Sequence, residues 1–329
     1  MSRRSHGAAV GLVVGTLLVA AASAASTARD PVSLTYMGLV MNPTSYSVDH
    51  YLNHWALVKG KVQPEGVKLD LKTMWVWDTT RLMMAGQGDV GAVSINGFLL
   101  ARDRGAPLVM IAAEQIVLPD PVRTTNALFT RPASGVKTAK DLEGKSVGVA
   151  GRTSASAVYH TAILGQKYGV DTSKITWVDK GTPELFALLK RGDVVAATLY
   201  GGIADKAGKE PGLETLYRAP NAWKEMTGMP FLTVVVVAKK SIVDSHPEAL
   251  RSMLAALKAS KKYGEEHKAE ILTEATKEFG ALEDGGRILQ PFELTSEIKD
   301  VVKVYAKHCL DQQVIRKAPD PAELFADLK

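Results

Sequence analysis

The sequence of 329 residues is poor in cysteine: Cys309 stands alone. One thiol cannot build an internal disulfide framework, a multi-cysteine zinc site or an iron–sulfur cluster. Aromatic residues are also few, at 6%, and after the first thirty residues no uncharged apolar run reaches the length of a membrane span. There is no Gly-x-Ser-x-Gly turn to carry a nucleophile. The basic residues are interleaved with acids, as along 258–270, which describes a solvated helix face rather than a nucleic-acid stripe. What is present is ordinary for a folded protein: 46% apolar and 23% charged residues, 28 glycines and 15 prolines. That composition excludes wholesale disorder, collagen-like repeats and coiled coil. The length itself suggests two lobes or domains.

The chain starts with an address label. Arg3 and Arg4 precede an uncharged stretch over 8–28, and Ala22-Ser23-Ala24 supplies the small residues of a cleavage site. A basic start, an apolar middle and a small-residue exit spell a secretory signal peptide over 1–28. Its removal takes two positive charges from the formal +5. The mature protein is therefore expected in the periplasm, soluble and mildly basic.

Beyond the leader, β-rich and helical segments alternate. Val32–Leu39 reads as a strand, 49–59 as a helix, 67–75 as a strand, 79–85 as a helix and Val90–Ser94 as a strand. A helix over 97–104 and a strand over 107–113 follow. The pattern then restarts with a strand at 145–150, a helix at 154–167, a strand at 175–178, a helix at 183–190 and a strand at 194–199. A gapless shift of 104 residues lays Gly88-Asp89-Val90 on Gly192-Asp193-Val194, and Ser94 on Thr198. Repetition of element order and motif implies two similarly built lobes. The segment 124–130 reads as an extended crossing between them, and Phe231–Lys239 (FLTVVVVAK) as a buried strand that carries the chain back. Ser245 is expected to cap the next helix, with Pro247 in its first turn.

The predicted fold is α/β and two-lobed, each lobe a mostly parallel sheet flanked by helices, with a ligand cleft between. The expected division is 1–28 leader, 29–123 first lobe, 124–230 second lobe, and 231–329 return strand and C-terminal helices completing the first lobe.

Ligands of open α/β sheets bind beyond the carboxyl ends of the strands. The sharpest candidate is Val147-Gly148-Val149-Ala150-Gly151-Arg152-Thr153-Ser154-Ala155-Ser156. There a strand ends, a glycine permits close approach, and three hydroxyls stand at a helix N-terminus beside an arginine. Thr153, Ser154 and Ser156 would hold an anion, although plain helix capping explains part of the pattern. Ser94, Asn96 and Tyr200 follow strand ends in the two copies and should face each other. Asn42, Ser45 and Tyr46 follow the first strand. Trp77, two residues past Trp75 on an expected strand, could stack a planar ligand. Other motifs fail. Gly86-Gln87-Gly88-Asp89-Val90-Gly91 spells a dinucleotide fingerprint but stands between helix and strand, the reverse of the required order. His50 and His54 have metal spacing on one helix face, yet no carboxylate pattern accompanies them, so they read as core or surface histidines.

Taken in order, Met83-Met84-Ala85-Gly86-Gln87-Gly88-Asp89-Val90-Gly91, Arg104-Gly105-Ala106-Pro107-Leu108, the stretch from Lys137 to Val149 (KTAKDLEGKSVGV) and Leu188-Leu189-Lys190-Arg191-Gly192-Asp193-Val194 resemble one family. It is the nitrate/sulfonate/taurine branch of ABC-transporter periplasmic binding proteins, which includes binders of thiamine pyrimidine precursors. The resemblance implies a non-enzymatic, monomeric capture protein without cofactor or metal. It would bind a small anion such as a sulfonate, taurine or nitrate and deliver it to a membrane permease and ATPase, with no nucleic-acid partner. It also places ligand contacts near Asn42, Ser45 and Tyr46, near Ser94 and Asn96, and at Thr153, Ser154 and Ser156. Relatives often carry Trp-Glu-Pro where this chain has Tyr200-Gly201-Gly202, so the ligand itself is not inherited. The alternative ligand is a neutral planar heterocycle clamped by Trp77 and Tyr200, and an enzyme on the same scaffold is a third reading.

Overall fold

A computed structural model describes residues 30–43, 47–74, 76–121, 126–151, 154–282 and 288–328. The leader, Ser45, Tyr46, Trp75, Arg152 and Thr153 lie outside them. Eleven strands form two sheets among the described residues: β1 Val32–Leu39, β2 Val67–Thr73, β3 Val90–Ser94, β4 Leu108–Val117, β5 Asn126–Thr130, β6 Ser146–Val149, β7 Thr176–Asp179, β8 Ala196–Tyr200, β9 Glu214–Arg218, β10 Phe231–Lys239 and β11 Ile288–Leu289. The first sheet has the order β11-β4-β10-β3-β1-β2, the second β7-β6-β8-β5-β9.

In the first sheet β1 to β4 run one way, and β10 and β11 oppose them. In the second, β6 to β9 run together and β5 opposes. The lobes share one topology, since β2-β1-β3-β10-β4 has the same pattern as β7-β6-β8-β5-β9. In each lobe the reversed inner strand is one of the two crossing segments. The two-lobed α/β architecture read from the sequence is the observed one.

β10 explains its own composition. It pairs with β3 on one edge and β4 on the other, so both faces and both edges are covered and an unbroken Val run is stable there. The expected repeat holds in order but slips by two residues. β3 ends at Ser94 and its counterpart β8 ends at Tyr200, not at Thr198. Thr198 lies inside the strand, where its hydroxyl accepts the Ala150 amide at 3.3 Å.

Two local expectations need correction. The second strand does not run on to the tryptophans. Its pairing with β1 ends at Leu39 opposite Thr73, and a helix, Val76–Met84, begins with Asp78 in its first turn. Trp77 therefore lies on a helix, and period-two pairing with Trp75 does not apply. Ser245 is not a cap either. It closes the short helix Lys240–Ser245 by donating to the Ser241 carbonyl at 2.7 Å, and His246 takes the cap position of helix Pro247–Glu266 without a side-chain bond.

The largest aromatic knot ties the second lobe to the return strand. Tyr159 stacks on Phe231 at 3.9 Å between centroids and meets Trp223 edge-on at 4.6 Å and Tyr305 at 4.7 Å. All four are fully buried, and the Tyr159 hydroxyl donates to the Leu232 carbonyl at 2.6 Å. No helix among the described residues is long and apolar enough to cross a membrane.

Candidate functional site

The strand ends of both sheets open onto one cleft of about 1000 Å³. Ser94, Asn96, Gln115 and Thr233 line it from the first sheet's side; Asn126, Ser154, Ser156, Asp179 and Tyr200 line it from the second. Val76, Met84, Leu100, Val117, Val234 and Ile288 make much of the remaining wall apolar, and the exposed cations Arg81, Arg104 and Lys180 stand around it.

Five of the expected site residues are brought together here: Ser94, Asn96, Ser154, Ser156 and Tyr200. Ser94 accepts the Gly97 amide at 3.3 Å and so caps the helix Ile95–Asp103 at the strand's end. The cap fixes Asn96 in the first helical turn, 2% exposed, with its Oδ1 lacking a hydrogen-bond partner among the described residues. A buried acceptor with no donor carries a desolvation cost of about 1–3 kcal/mol, which a ligand or water in the cleft would relieve. Burial pushes the Tyr200 phenol above its ordinary range, so it enters the cleft protonated, able to donate. Asn42 is half-buried after β1 and is not among the residues that line the cleft; from that loop Ser47 is. Ser45, Tyr46, Thr153 and the Trp77 side chain fall outside the described residues.

The expected anion cradle is partly occupied by the protein itself. Ser154 caps the helix Ala155–Ala162 by accepting the Ala157 amide at 3.1 Å. The Gly151 amide donates to the Asp179 carboxylate at 3.0 Å. Ser156 is not a cap: it is buried in the first turn with its Oγ 3.4 Å from Asn126 Oδ1.

Sequence reasoning missed the network behind Ser156. Asn126, the first residue of β5, accepts from His160 Nε2 at 2.8 Å, and His160 Nδ1 faces the Tyr217 hydroxyl at 2.8 Å. This arrangement assigns the His160 proton to Nε2 and makes Nδ1 the acceptor for Tyr217. Burial drives His160 down to about 3, so the ring is neutral and donates through one nitrogen only. Its oxygen is held by His160 and Ser156, and among the described residues the Asn126 amide nitrogen is left as a donor for the cleft it lines. The signal available in the sequence was slight: a lone Asn opening the apolar run Asn126-Ala127-Leu128-Phe129.

His160 makes a pH dependence. Its folded pKa is depressed below the ordinary 6.5, so the unfolded chain binds the proton first on acidification. Its contribution to stability is present above about pH 6.5 and is lost as pH falls toward 3. Over that window a single fully buried histidine gives a slope of about 1.4 kcal/mol per pH unit. In urea unfolding at pH 6 and pH 4.5, His160→Asn is expected to flatten the acid slope by about that amount. An unchanged slope would show that His160 protonates freely in the folded state.

The family model described as NMT1/THI5 like matches residues 49–271, about two thirds of the chain. A curated relative, 4,5-dihydroxyphthalate decarboxylase of Pseudomonas putida, is 24% identical over 168 residues, covering 50% of this chain and 60% of that enzyme. Among solved structures, the periplasmic aliphatic sulphonate binding protein SsuA of Escherichia coli superposes with TM-score 0.69 at 15% identity, covering 91% of this chain and 92% of that one. The alkanesulfonate-binding protein SsuA of Xanthomonas axonopodis pv. citri, bound to MOPS, matches with TM-score 0.60 at 14% identity, covering 89% and 96%. At these identities the structural likeness establishes the fold, that of two-lobed periplasmic binding proteins.

Proposed function

The chain belongs to the NMT1/THI5-like family, and on that footing we propose that it is the extracytoplasmic solute-binding component of an ABC importer. The observation that carries this reading is the meeting of polar groups from both lobes, Ser94 and Asn96 with Asn126, Ser156 and Tyr200, in a single cleft. A molecule held by both walls gains contacts only when the lobes close on it, which is how a capture protein couples binding to shape. On this reading residues 1–28 are removed on export, the mature protein works as a periplasmic monomer, and its partners are the permease and ATPase of the inner membrane.

The ligand is a small organic anion, such as a sulfonate or taurine. The wall of Val76, Met84, Leu100, Val117, Val234 and Ile288 suits a carbon body, while the Asn126 amide, the Tyr200 hydroxyl and the Ser156 hydroxyl, once it turns from its 3.4 Å bond to Asn126 Oδ1, suit a charged or strongly polar end. A second reading, a neutral planar heterocycle such as a thiamine pyrimidine precursor, draws support from two observations. Asn96 Oδ1 is a buried acceptor without a donor among the described residues, and the Asp179 carboxylate already accepts the Gly151 amide. The decarboxylase relative motivates the third, an enzyme on the same scaffold.

One experiment separates the three. Mature protein is screened by thermal shift against aliphatic sulfonates, carboxylates and aminopyrimidines, and every compound that shifts it is followed by chromatography. A ligand at 100 times its Kd adds about 2.7 kcal/mol, a rise of roughly 5–10 °C in the melting midpoint. Stabilisation by sulfonates without turnover is the expected result. Stabilisation by pyrimidines alone would replace the ligand, and consumption of the compound would replace the function.

A further inference from the structure

A second chemical cluster is made of residues that do not line the cleft. His50 and His54 stand one turn apart on the helix Val48–Val58, and Glu114 projects from β4. All three are fully buried, at 0% exposure. The single oxygen Glu114 Oε1 lies 3.7 Å from His50 Nδ1 and 3.6 Å from His54 Nε2. These separations are too long for hydrogen bonds, and among the described residues neither His54 Nε2 nor Glu114 Oε1 has a hydrogen-bond partner. We propose that His50, His54 and Glu114 form a binding site for one divalent transition-metal ion of the zinc class.

The helix supplies the orientation. His54 Nδ1 lies 2.9 Å from the His50 carbonyl, so the proton resides on Nδ1 and the Nε2 lone pair is aimed at the cluster. A backbone carbonyl in this role is a frequent support for a metal-bound imidazole. The carboxylate has its own support, since Tyr36 donates to Glu114 Oε2 at 3.3 Å. The candidate ligand atoms lie within 4.8 Å of one another. Tetrahedral bonds of ~2.0–2.1 Å place ligand atoms about 3.4 Å apart, so the two contacts to Glu114 need little adjustment and the widest pair closes on the ion. Two nitrogens and one oxygen are a zinc-class donor set.

His50 has competitors. The Gln290 amide nitrogen is 3.2 Å from Nδ1, and the Val40 amide lies 3.4 Å from Nε2. Coordination through Nδ1 turns Gln290 aside, along with the 2.5 Å contact from Asn53 that holds it, and puts the ring proton on Nε2, which then gives up the long bond from the Val40 amide. Among the described residues, the ion-pair partners of Glu114 are the two histidines alone. Burial accordingly holds the Glu114 carboxyl up near 8 and His54 down to about 4. A bound cation would displace the Glu114 proton and neutralise the carboxylate thus formed in the buried pocket.

The site is independent of what the cleft captures, and its test uses no cleft ligand. Untagged mature protein is stripped with chelator, incubated with zinc chloride, desalted and assayed for metal by mass spectrometry. One equivalent of zinc per chain is expected, with the melting midpoint raised by about 5 °C. X-ray absorption of the loaded wild type should show two imidazole nitrogens in the first shell. His54→Gln and Glu114→Gln, each checked for folding by circular dichroism, should lose the equivalent, while the exposed His246→Gln should keep it. Wild type that retains no zinc, a first shell without imidazole, or full retention in both cluster variants would each overturn the site.

Discussion

Gly264→Ala is expected to destabilise the folded protein by about 3 kcal/mol, the upper end of what overpacking costs. The helix Pro247–Glu266 lies against the helix Val48–Val58, and at Gly264 there is no room between them for a side chain. A Cβ there would stand 2.2 Å from the Leu52 carbonyl oxygen and 2.7 Å from its carbon. Both are backbone atoms in the middle of a helix, so no side chain can swing away to make room. The neighbouring contact depends on the same spacing, since buried Ser260 accepts the Leu57 amide at 3.0 Å. Gly165→Ala is the control. Its nearest atom beyond its chain neighbours would be the Val170 carbonyl oxygen at 3.9 Å, an ordinary contact, and its φ lies outside the left-handed region. That change should be neutral or stabilising by up to about 1 kcal/mol through the unfolded state. Urea unfolding of both variants checks the pair. A Gly264→Ala midpoint equal to that of wild type would mean that the helices slide apart freely, and the close approach would then not constrain them.

The same helix pair marks the limit of what the sequence can say. Val32–Leu39, Val90–Ser94 and Phe231–Lys239 are legible to the residue, because a run of β-branched and apolar side chains covered on both faces leaves little choice of structure. β4 is read too short. Glu114 and Gln115 interrupt its apolar pattern, so composition stops at Ala113, whereas the ladder with β10 continues to Val117. That polar interruption is the missing partner of the histidines. The spacing of His50 and His54 was visible, but the carboxylate comes from a strand more than fifty residues away, and only the sheet brings it beneath the helix.

The cleft divides in the same way. Residues at strand ends, Ser94, Asn96, Ser156 and Tyr200, were found because α/β topology alone says where strand ends point. The Asn126–His160–Tyr217 network joins three elements through pairs 34 and 57 residues apart. Each member taken singly looks like a core or loop residue. The strand reading at Trp77 failed for a local reason: with β2 unpaired beyond Thr73, a helix forms instead.

The second large effect concerns that network. Ser156→Ala and Asn126→Ala are each expected to weaken ligand affinity roughly 10–150-fold, the equivalent of about 1.5–3 kcal/mol for a hydrogen bond to a charged group. Ser156 stands in the first turn of a helix, where amides and dipole favour negative charge, and Asn126 has its oxygen held by His160 at 2.8 Å. Ser154→Ala is the contrasting variant. Its oxygen is the helix cap, accepting the Ala157 amide at 3.1 Å, so its loss should cost about 1 kcal/mol of stability and leave affinity within about twofold. Calorimetric titration against the compound found by thermal shift, with melting measured in parallel, reads both quantities for all three proteins. Should Ser156→Ala and Asn126→Ala bind within twofold of wild type while only their melting falls, the pair serves packing alone. The ligand's polar end would then belong on the opposite wall, at Ser94 and Asn96.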